Sequence, residues 1–297
     1  PQGSRVLLVG SNGAGKSTLL RVLGGLHACD PSSRVLILGR DSFADTKLNS
    51  LRQRMDPNWG IETVAFAGAG MAYSCDIEVG TMMSFLQTSF PQRRDRLASL
   101  LGINLKWSWN RLSDGQRRRV QLFLGLLVPY QVILLDEVTA LLDLLCRNDL
   151  LQFLKEESET RGCTVIIATH VFDGLDSWPT HCLWLKSFPV PGSLGFFGPT
   201  SEIPELSQQG SRVLHLVEKW LRSEQKERKE AAMTPMPESD RARKQEDEEG
   251  ETAHYMKNPL TLSTLSAGGY APGRSAQIEV SERSLNYDAL RATSPFS

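Results

Sequence analysis

The sequence predicts a three-layer α/β fold built on a mostly parallel sheet, and two patterns carry that expectation. Short continuous apolar runs of strand length occur at Arg5 to Val9 (R-V-L-L-V), Val132 to Leu135 and Thr164 to Ala168. Strands apolar on both sides belong to sheets covered by helices on both faces. Stretches of helical periodicity separate these runs, and strands alternating with helices call for a sheet between two helical layers.

Each element follows from its residues. Arg5 to Val9 reads as a buried strand ending at Gly10, and Ser17 to Leu26 as a helix with Leu19, Leu20, Leu23 and Leu26 at helical spacing. Val35 to Leu38 is a further short strand. Residues 41 to 90, with Gly60, Gly68, Gly70 and Gly80 and little periodicity, read as loops and short helices. Helices are expected over Pro91 to Leu105 and over Arg117 to Val128, the latter stopped by Pro129. Leu144 to Arg161 connects the strands Val132 to Leu135 and Thr164 to Ala168, which the connection makes parallel.

These elements place one domain over residues 1–210. A docking helix follows over 211–222, with Val213, Val217, Trp220 and Leu221 at helical spacing. From residue 223 the composition changes to a dense charge cluster (Arg241 to Glu251) and a Ser/Gly/Pro-containing end. Too little apolar surface is available there to offset chain entropy, so 223–297 is expected to be disordered.

Bulk properties exclude several classes. The 297 residues suit one large domain or two small ones, and 40% hydrophobic with 23% charged residues is ordinary for a soluble globular protein. With 33 basic and 34 acidic side chains there is no electrostatic reason to expect direct nucleic-acid contact or an anionic membrane. Five cysteines, at positions 29, 75, 146, 163 and 182, show no CxxC pair and no zinc spacing. They read as reduced thiols buried as small apolar residues, which fits a reducing compartment, the cytoplasm or also the nucleus. Leu122 to Leu135, divided by Pro129 and Gln131, is too short to span a bilayer. The chain begins at Pro1, almost at its first motif, so upstream strands and any targeting segment are expected to lie outside it.

Gly10-Ser11-Asn12-Gly13-Ala14-Gly15-Lys16-Ser17 fits the phosphate-loop pattern G-x-x-x-x-G-K-[ST] and runs into Thr18. The glycines allow a tight turn that brings backbone N–H groups against phosphate oxygens, and the helix beginning there adds its positive dipole end. Lys16 would reach the β/γ-phosphates and the Ser17 hydroxyl would ligate Mg²⁺. The bland alternative is a glycine-rich turn with a surface lysine, and a strand before with a helix after argues against it. Val132-Ile133-Leu134-Leu135-Asp136-Glu137 ends a buried strand in two carboxylates. Asp136 would face the metal and Glu137 would activate water as general base. Alone, that pattern is as well explained by an ordinary acidic turn.

Leu112-Ser113-Asp114-Gly115-Gln116 contains an S-x-x-Q capping box, which by itself marks only a helix start. The same exposed N–H groups form a second phosphate site with no base and no metal, useful only if another molecule supplies the nucleotide. His170 follows the run Thr164 to Thr169 at a strand's carboxyl end, where ligands bind in open α/β sheets, so a γ-phosphate contact is expected there.

Together these residues resemble the ATP-binding-cassette (ABC) family of P-loop NTPases. GSNGAGKS corresponds to Walker A, VILLDE to Walker B, and LSDGQ to the signature, with Asp114 in place of the usual glycine. Val138-Thr139-Ala140-Leu141-Leu142-Asp143 corresponds to the D-loop and His170 to the switch histidine. The resemblance implies a small helical subdomain beside the sheet, ATP and Mg²⁺ as ligands, and a homodimer or a pairing with a related cassette. Two nucleotides would be sandwiched between one protomer's Walker motifs and the other's signature. It also places the adenine-stacking aromatic upstream of Pro1, leaves Gln53 as a weak Q-loop candidate against a variant loop at Met55 to Trp59, and marks Ala140-Leu141 as a departure in the D-loop.

The blocks SDGQRRRVQL (113–122), LLDEVTALLD (134–143), ATHVFDGLDSWPTH (168–181) and LVEKWLRSE (216–224) are similar to soluble Caf-sixteen-type cassettes and plant ABC-transporter I members without a membrane domain. That likeness covers about residues 1–224 and implies an ATPase acting on a protein complex, of the deadenylase or transcription-associated kind. The alternatives are the ATP-hydrolysing subunit of a membrane transporter and a slow nucleotide-dependent scaffold.

Overall fold

Strands and helices alternate through the computed structural model, which describes residues 1–29, 33–56, 77–206 and 212–233. Strand β1 (Arg5–Val9) leads through a loop into helix α1 (Lys16–Leu23). A short hairpin of β2 (Leu36–Ile37) and β3 (Arg40–Asp41) precedes β4 (Arg52–Met55). Three helices follow, α2 (Ser84–Ser89), α3 (Pro91–Leu100) and α4 (Asp114–Gly125). Strand β5 (Val132–Asp136), helix α5 (Leu144–Arg161) and strand β6 (Thr164–Ala168) come next, then β7 (His181–Lys186), β8 (Ser193–Pro199) and α6 (Val213–Met233).

The main sheet has the order β4-β5-β6-β1-β7-β8. Pairing is parallel from β4 to β7, and only β8 runs antiparallel, on β7. Successive side chains on a strand point to opposite faces, and here both faces are dry. Leu7, Val9, Ile133, Leu135, Val165 and Ile167 join one core with α3, α4, α5 and α6. Leu8, Val132, Leu134 and Ala168 join the other with Leu20 of α1, Ile37 and Leu48. This is the three-layer, mostly parallel arrangement expected, and it accounts for the uninterrupted apolar runs.

Several elements differ from expectation, each for a physical reason. Helix α1 stops at Leu23, before Gly24 and Gly25, which leaves Leu26 59% exposed outside the helix. Helix α3 ends at Leu100, not at 105, because Gly102 turns left-handed (φ +60°) and Ile103 N–H folds back to Ala98 O at 2.8 Å. Helix α4 starts at Asp114, three residues before the periodicity begins, because Ser113 caps it.

Strand β4 (R-Q-R-M) fell in the stretch read as loops. Its polar residues conceal it, yet Arg52 is buried and donates to the carbonyls of Leu23 (2.8 Å) and Ser42 (3.0 Å). The antiparallel pair β7–β8 also went unread. Of the cysteines, 146, 163 and 182 are buried free thiols as expected, but Cys29 is partly exposed, and Cys75 lies outside the described residues.

Helix α6 continues through residues 223–233, which were expected to be disordered. Its docked face, Val213, Leu216 and Val217, is buried, and Trp220 stacks on Trp184 with ring centroids 5.0 Å apart. The charged residues beyond extend the helix with i,i+4 ion pairs, Arg222 to Glu218 and Lys226 to Glu230, an arrangement a composition argument overlooks. Pro1–Met233 form one compact unit, and the remainder of the expected disordered segment, 234–297, lies outside the described residues.

Phe153 locks the helical layer. It is 1% exposed in α5, with the guanidiniums of Arg93 and Arg96 of α3 lying 5.0 and 5.1 Å from its ring centroid. Arg93 also bonds Glu157 at 2.7 Å, so a ring and an ion pair hold α3 to α5. Phe153→Ala should lower unfolding free energy by ~3–5 kcal/mol in a urea titration, the cost of emptying a well-packed aromatic site. A change below ~1 kcal/mol would show that the site collapses without loss.

Candidate functional site

The parallel sheet sends the carboxyl ends of β1, β5, β6 and β7 to one edge, and the residues following them meet there. After β1 comes the loop Gly10 to Gly15. A Cβ on Gly10 would lie 2.5 Å from the Leu185 carbonyl oxygen, so only glycine lets the loop leave the sheet this close to β7. Gly13 and Gly15 hold φ of +81° and +86°, left-handed values that curl the loop back into α1. Ala14 N–H donates to Ser11 O at 3.1 Å and closes the turn.

Lys16 is buried under this loop. Its Nζ donates to the carbonyls of Gly10 (2.8 Å) and Ser11 (3.2 Å), which point the ammonium across the loop. Burial lowers the Lys16 pKa, and the nearby Glu137 and Asp136 carboxylates partly offset it. Ser17 and Thr18, at the start of α1, and Asn12 and Gly13 are exposed.

Asp136 is buried at the last position of β5, beside Ala168 of β6. Glu137 follows with φ of +51°, a strained left-handed backbone held by its N–H to Ala168 O at 2.9 Å. That turn swings its carboxylate toward the end of β6. Oε2 accepts from the His170 backbone N–H at 3.3 Å, and Oε1 lies 3.4 Å from His170 Nε2. Glu137 Oε1 is buried, and no hydrogen bond reaches it among the described residues. The Thr139 and Thr169 hydroxyls, 3.2 Å apart, tie the two turns together.

Ser113, Asp114, Gly115 and Gln116 begin α4. Both halves of the capping box form, Gln116 N–H to Ser113 Oγ at 3.3 Å and Ser113 N–H to Gln116 Oε1 at 3.0 Å. Ser113 and Asp114 are exposed, and none of the four lines the cavity beside the phosphate loop. That cavity, about 720 Å³, lies between Gly10, Ser11, Asn12, His170 and Ser187 on one side and α6 on the other. The structure therefore unites the phosphate loop, Asp136, Glu137 and His170, and leaves the Ser113–Gln116 group apart. Gln53 is not at the site, since its Nε2 donates to Gly125 O at 3.0 Å. Trp59 lies outside the described residues.

Motif reading missed Arg118. It is buried in α4 and donates to Val138 O (3.1 Å), Asp56 O (2.9 Å) and Gln121 Oε1 (3.0 Å). Burial depresses its pKa to about 10, with the Asp56 charge opposing the shift. One helical position on, Arg119 pairs with Asp143, the cap of α5. The Asp143 carboxyl sits below its ordinary pKa, chiefly through the Cys146 N–H and further through Arg119. The helix carrying Ser113 is thus fastened to the segment that begins at Glu137.

Known proteins resemble this chain in sequence and in fold. The ABC transporter family model matches residues 1–140. The chain is 41% identical over 276 residues to ABC transporter I family member 20 of Arabidopsis thaliana, covering 91% of this chain and 79% of that protein. It is 40% identical over 203 residues to CCR4-associated factor 16 of Saccharomyces cerevisiae, covering 66% and 70%. An alignment over 91% of the chain must continue past residue 224, where the sequence blocks had been expected to end. Among solved structures, an ATP-binding subunit of an ABC transporter superposes with TM-score 0.58 at 18% identity, over 74% of this chain and 88% of that one. A dimeric bacterial ABC transporter cassette superposes with TM-score 0.53 at 20% identity, over 67% and 86%. These two share the fold. By sequence match, fold and the placing of its motifs, the chain belongs to the ABC transporter family, as an ATP-binding-cassette ATPase domain related to the plant I-family members and CCR4-associated factor 16.

Proposed function

We propose that this chain binds MgATP and hydrolyses it as one half of a head-to-tail dimer, and that its opening and closing acts on a protein complex. One observation carries the reading: Glu137 and His170 are paired at 3.4 Å on adjacent strand ends, beside the loop that bears Lys16. Gly10, Ser11, Asn12, Gly13, Ala14, Gly15, Ser17 and Thr18 cradle the phosphates, and Lys16 supplies a positive charge at the β/γ end. Glu137 accepts the proton of the attacking water as that oxygen bonds the γ-phosphorus and the bond to ADP breaks. His170 contacts the γ-phosphate and holds Glu137 in place.

Among the described residues there is no group of three or more His, Cys, Asp or Glu able to hold a metal. Mg²⁺ takes oxygen ligands, keeps water and phosphate oxygens and needs only one or two protein groups, and the Ser17 hydroxyl and the buried Asp136 carboxylate are oxygen donors of that kind. Ser17 and Asp136 are the groups that would hold it, and when bound it neutralises phosphate charge.

The dimer follows from the isolation of Ser113, Asp114, Gly115 and Gln116, an anion-binding helix start that reaches no phosphate loop of its own chain. Nearby, Leu141, Leu144 and Leu145 are 61, 56 and 75% exposed, an apolar surface suited to a second copy. The protein complex is read from the similarity to CCR4-associated factor 16, and we assign it to the deadenylase or transcription-associated kind, in cytoplasm or nucleus. No helix among the described residues is long and apolar enough to cross a membrane. The alternative, a transporter subunit, needs a Q-loop glutamine at the site, and Gln53 spends its amide on Gly125.

Three tests follow. Glu137→Gln should keep ATP affinity while phosphate release slows ~10²–10⁴-fold, and wild-type turnover would remove Glu137 as the base. With ATP, Glu137→Gln should sediment as a dimer, and adding Ser113→Arg should return it to monomer. An ATP-independent mass for both would exclude the sandwich. The ATP-trapped chain should co-purify with subunits of a deadenylase assembly and release them when ATP is removed. Stoichiometric recovery of a multi-pass membrane protein would favour the transporter reading instead.

A further inference from the structure

The block LVEKWLRSE ends in a residue that the ATPase reading leaves unused. Glu224 sits on the docked face of α6, one turn beyond Trp220, and is only 4% exposed. A carboxylate this buried must be satisfied by donors, and three point at it. Ser187 N–H donates to Oε1 at 2.7 Å, and Ser187 Oγ donates to the same oxygen. Ser11 Oγ lies 3.3 and 3.5 Å from the two carboxylate oxygens and 2.8 Å from Ser187 Oγ, so its single proton is shared between them.

Ser11 is the second residue of the phosphate loop. Its carbonyl takes bonds from Lys16 Nζ (3.2 Å) and from Ala14 N–H (3.1 Å). A continuous path therefore runs from α6 through Glu224 and the Ser11 side chain to the Ser11 carbonyl and the Lys16 ammonium. One turn further along α6, Glu227 pairs with Lys186 at 3.0 Å, which holds the helix over the end of β7 on the side where Ser187 emerges.

We infer that Glu224 is a positioning residue for the phosphate loop and couples docking of α6 to the loop's hold on nucleotide. The coupling rests on the proposal that the loop binds ATP, whereas the positioning itself is a property of the nucleotide-free chain. Linkage makes the effect reciprocal, so that ATP binding strengthens docking of α6 to the extent that docking strengthens ATP binding.

Amide hydrogen exchange and calorimetric titration with MgATP, on full chains carrying Glu224→Ala, Glu224→Gln, Ser11→Ala and the Ser11→Ala/Glu224→Ala pair, test this. Without nucleotide, Glu224→Ala should speed exchange at residues 11–16 and leave β5 and β6 unchanged. Its ATP affinity should fall about 3- to 30-fold, the part of a charge-assisted hydrogen bond not already spent in docking the helix. Glu224→Gln, which keeps an acceptor for Ser187 N–H, should stay within about 3-fold of wild type. The pair should bind no more weakly than Glu224→Ala alone, because both changes cut one path. Wild-type exchange at residues 11–16 in Glu224→Ala would overturn the inference. So would faster exchange spread evenly over β5 and β6, or additive losses in the pair. A wild-type chain that fails to bind MgATP would refute the ATP reading and the coupling, while exchange in Glu224→Ala would still decide the positioning role.

Discussion

Every polar group that matters at this site is placed by one constraint, a parallel sheet covered on both faces. Inside such a sheet the backbone is satisfied strand to strand, and the apolar side chains of β1, β5 and β6 pack into the two cores. Functional groups can emerge only where the strands stop. Because β5, β6, β1 and β7 run in the same direction and lie side by side, they stop together. Asp136, Glu137, His170, Ser187 and the phosphate loop then share one edge, and of these only Ala14 of the loop belongs to the core.

That edge is held under tension, and the tension has a use. Glu137 in a left-handed backbone costs of order 1–3 kcal/mol, a strain that persists because the Ala168 carbonyl and the His170 N–H grip both of its ends. Without that turn its carboxylate would not reach the end of β6. Burial lowers the Lys16 pKa and the Glu137 and Asp136 carboxylates oppose that shift, while two backbone carbonyls aim its side-chain nitrogen. A phosphate entering the loop would meet a side chain already buried and aimed, so little reorganisation would remain for the moment of binding.

Besides the shared apolar core, two arginines tie the helical layer to this edge. Arg118 takes hold of the Val138 carbonyl directly after Glu137, and Arg119 holds the cap of α5. Arg118 is deep enough that its charge is expensive, and it stays because carbonyls, a glutamine and the Asp56 charge surround it. Movement of α4 would therefore be felt one residue from Glu137. On the opposite side α6 grips Ser11 and Ser187, so both ends of the site are fastened to elements distant in sequence.

The sequence by itself determined the parts whose cause is local. The apolar runs became β1, β5 and β6, Ser113 and Gln116 capped α4, and the glycine spacing curled the loop over Lys16. All of these depend on neighbours within a few residues, which is the range at which periodicity and capping act. Tertiary structure alone decided what depends on distant partners. Strand β4 is polar and is a strand only because β5 offers it a parallel edge, and its Arg52 is buried only because two remote carbonyls receive it. Residues 223–233 look like the start of a charged tail, yet they stay helical because Trp220, just before them, stacks on Trp184, and Glu224 and Glu227, among them, hold Ser187 and Lys186. The meeting of Glu137 with His170, and of Glu224 with Ser11, likewise appears in no local pattern. Strand order and helix docking set those distances, and both are settled by long-range burial, not by the order of residues along the chain.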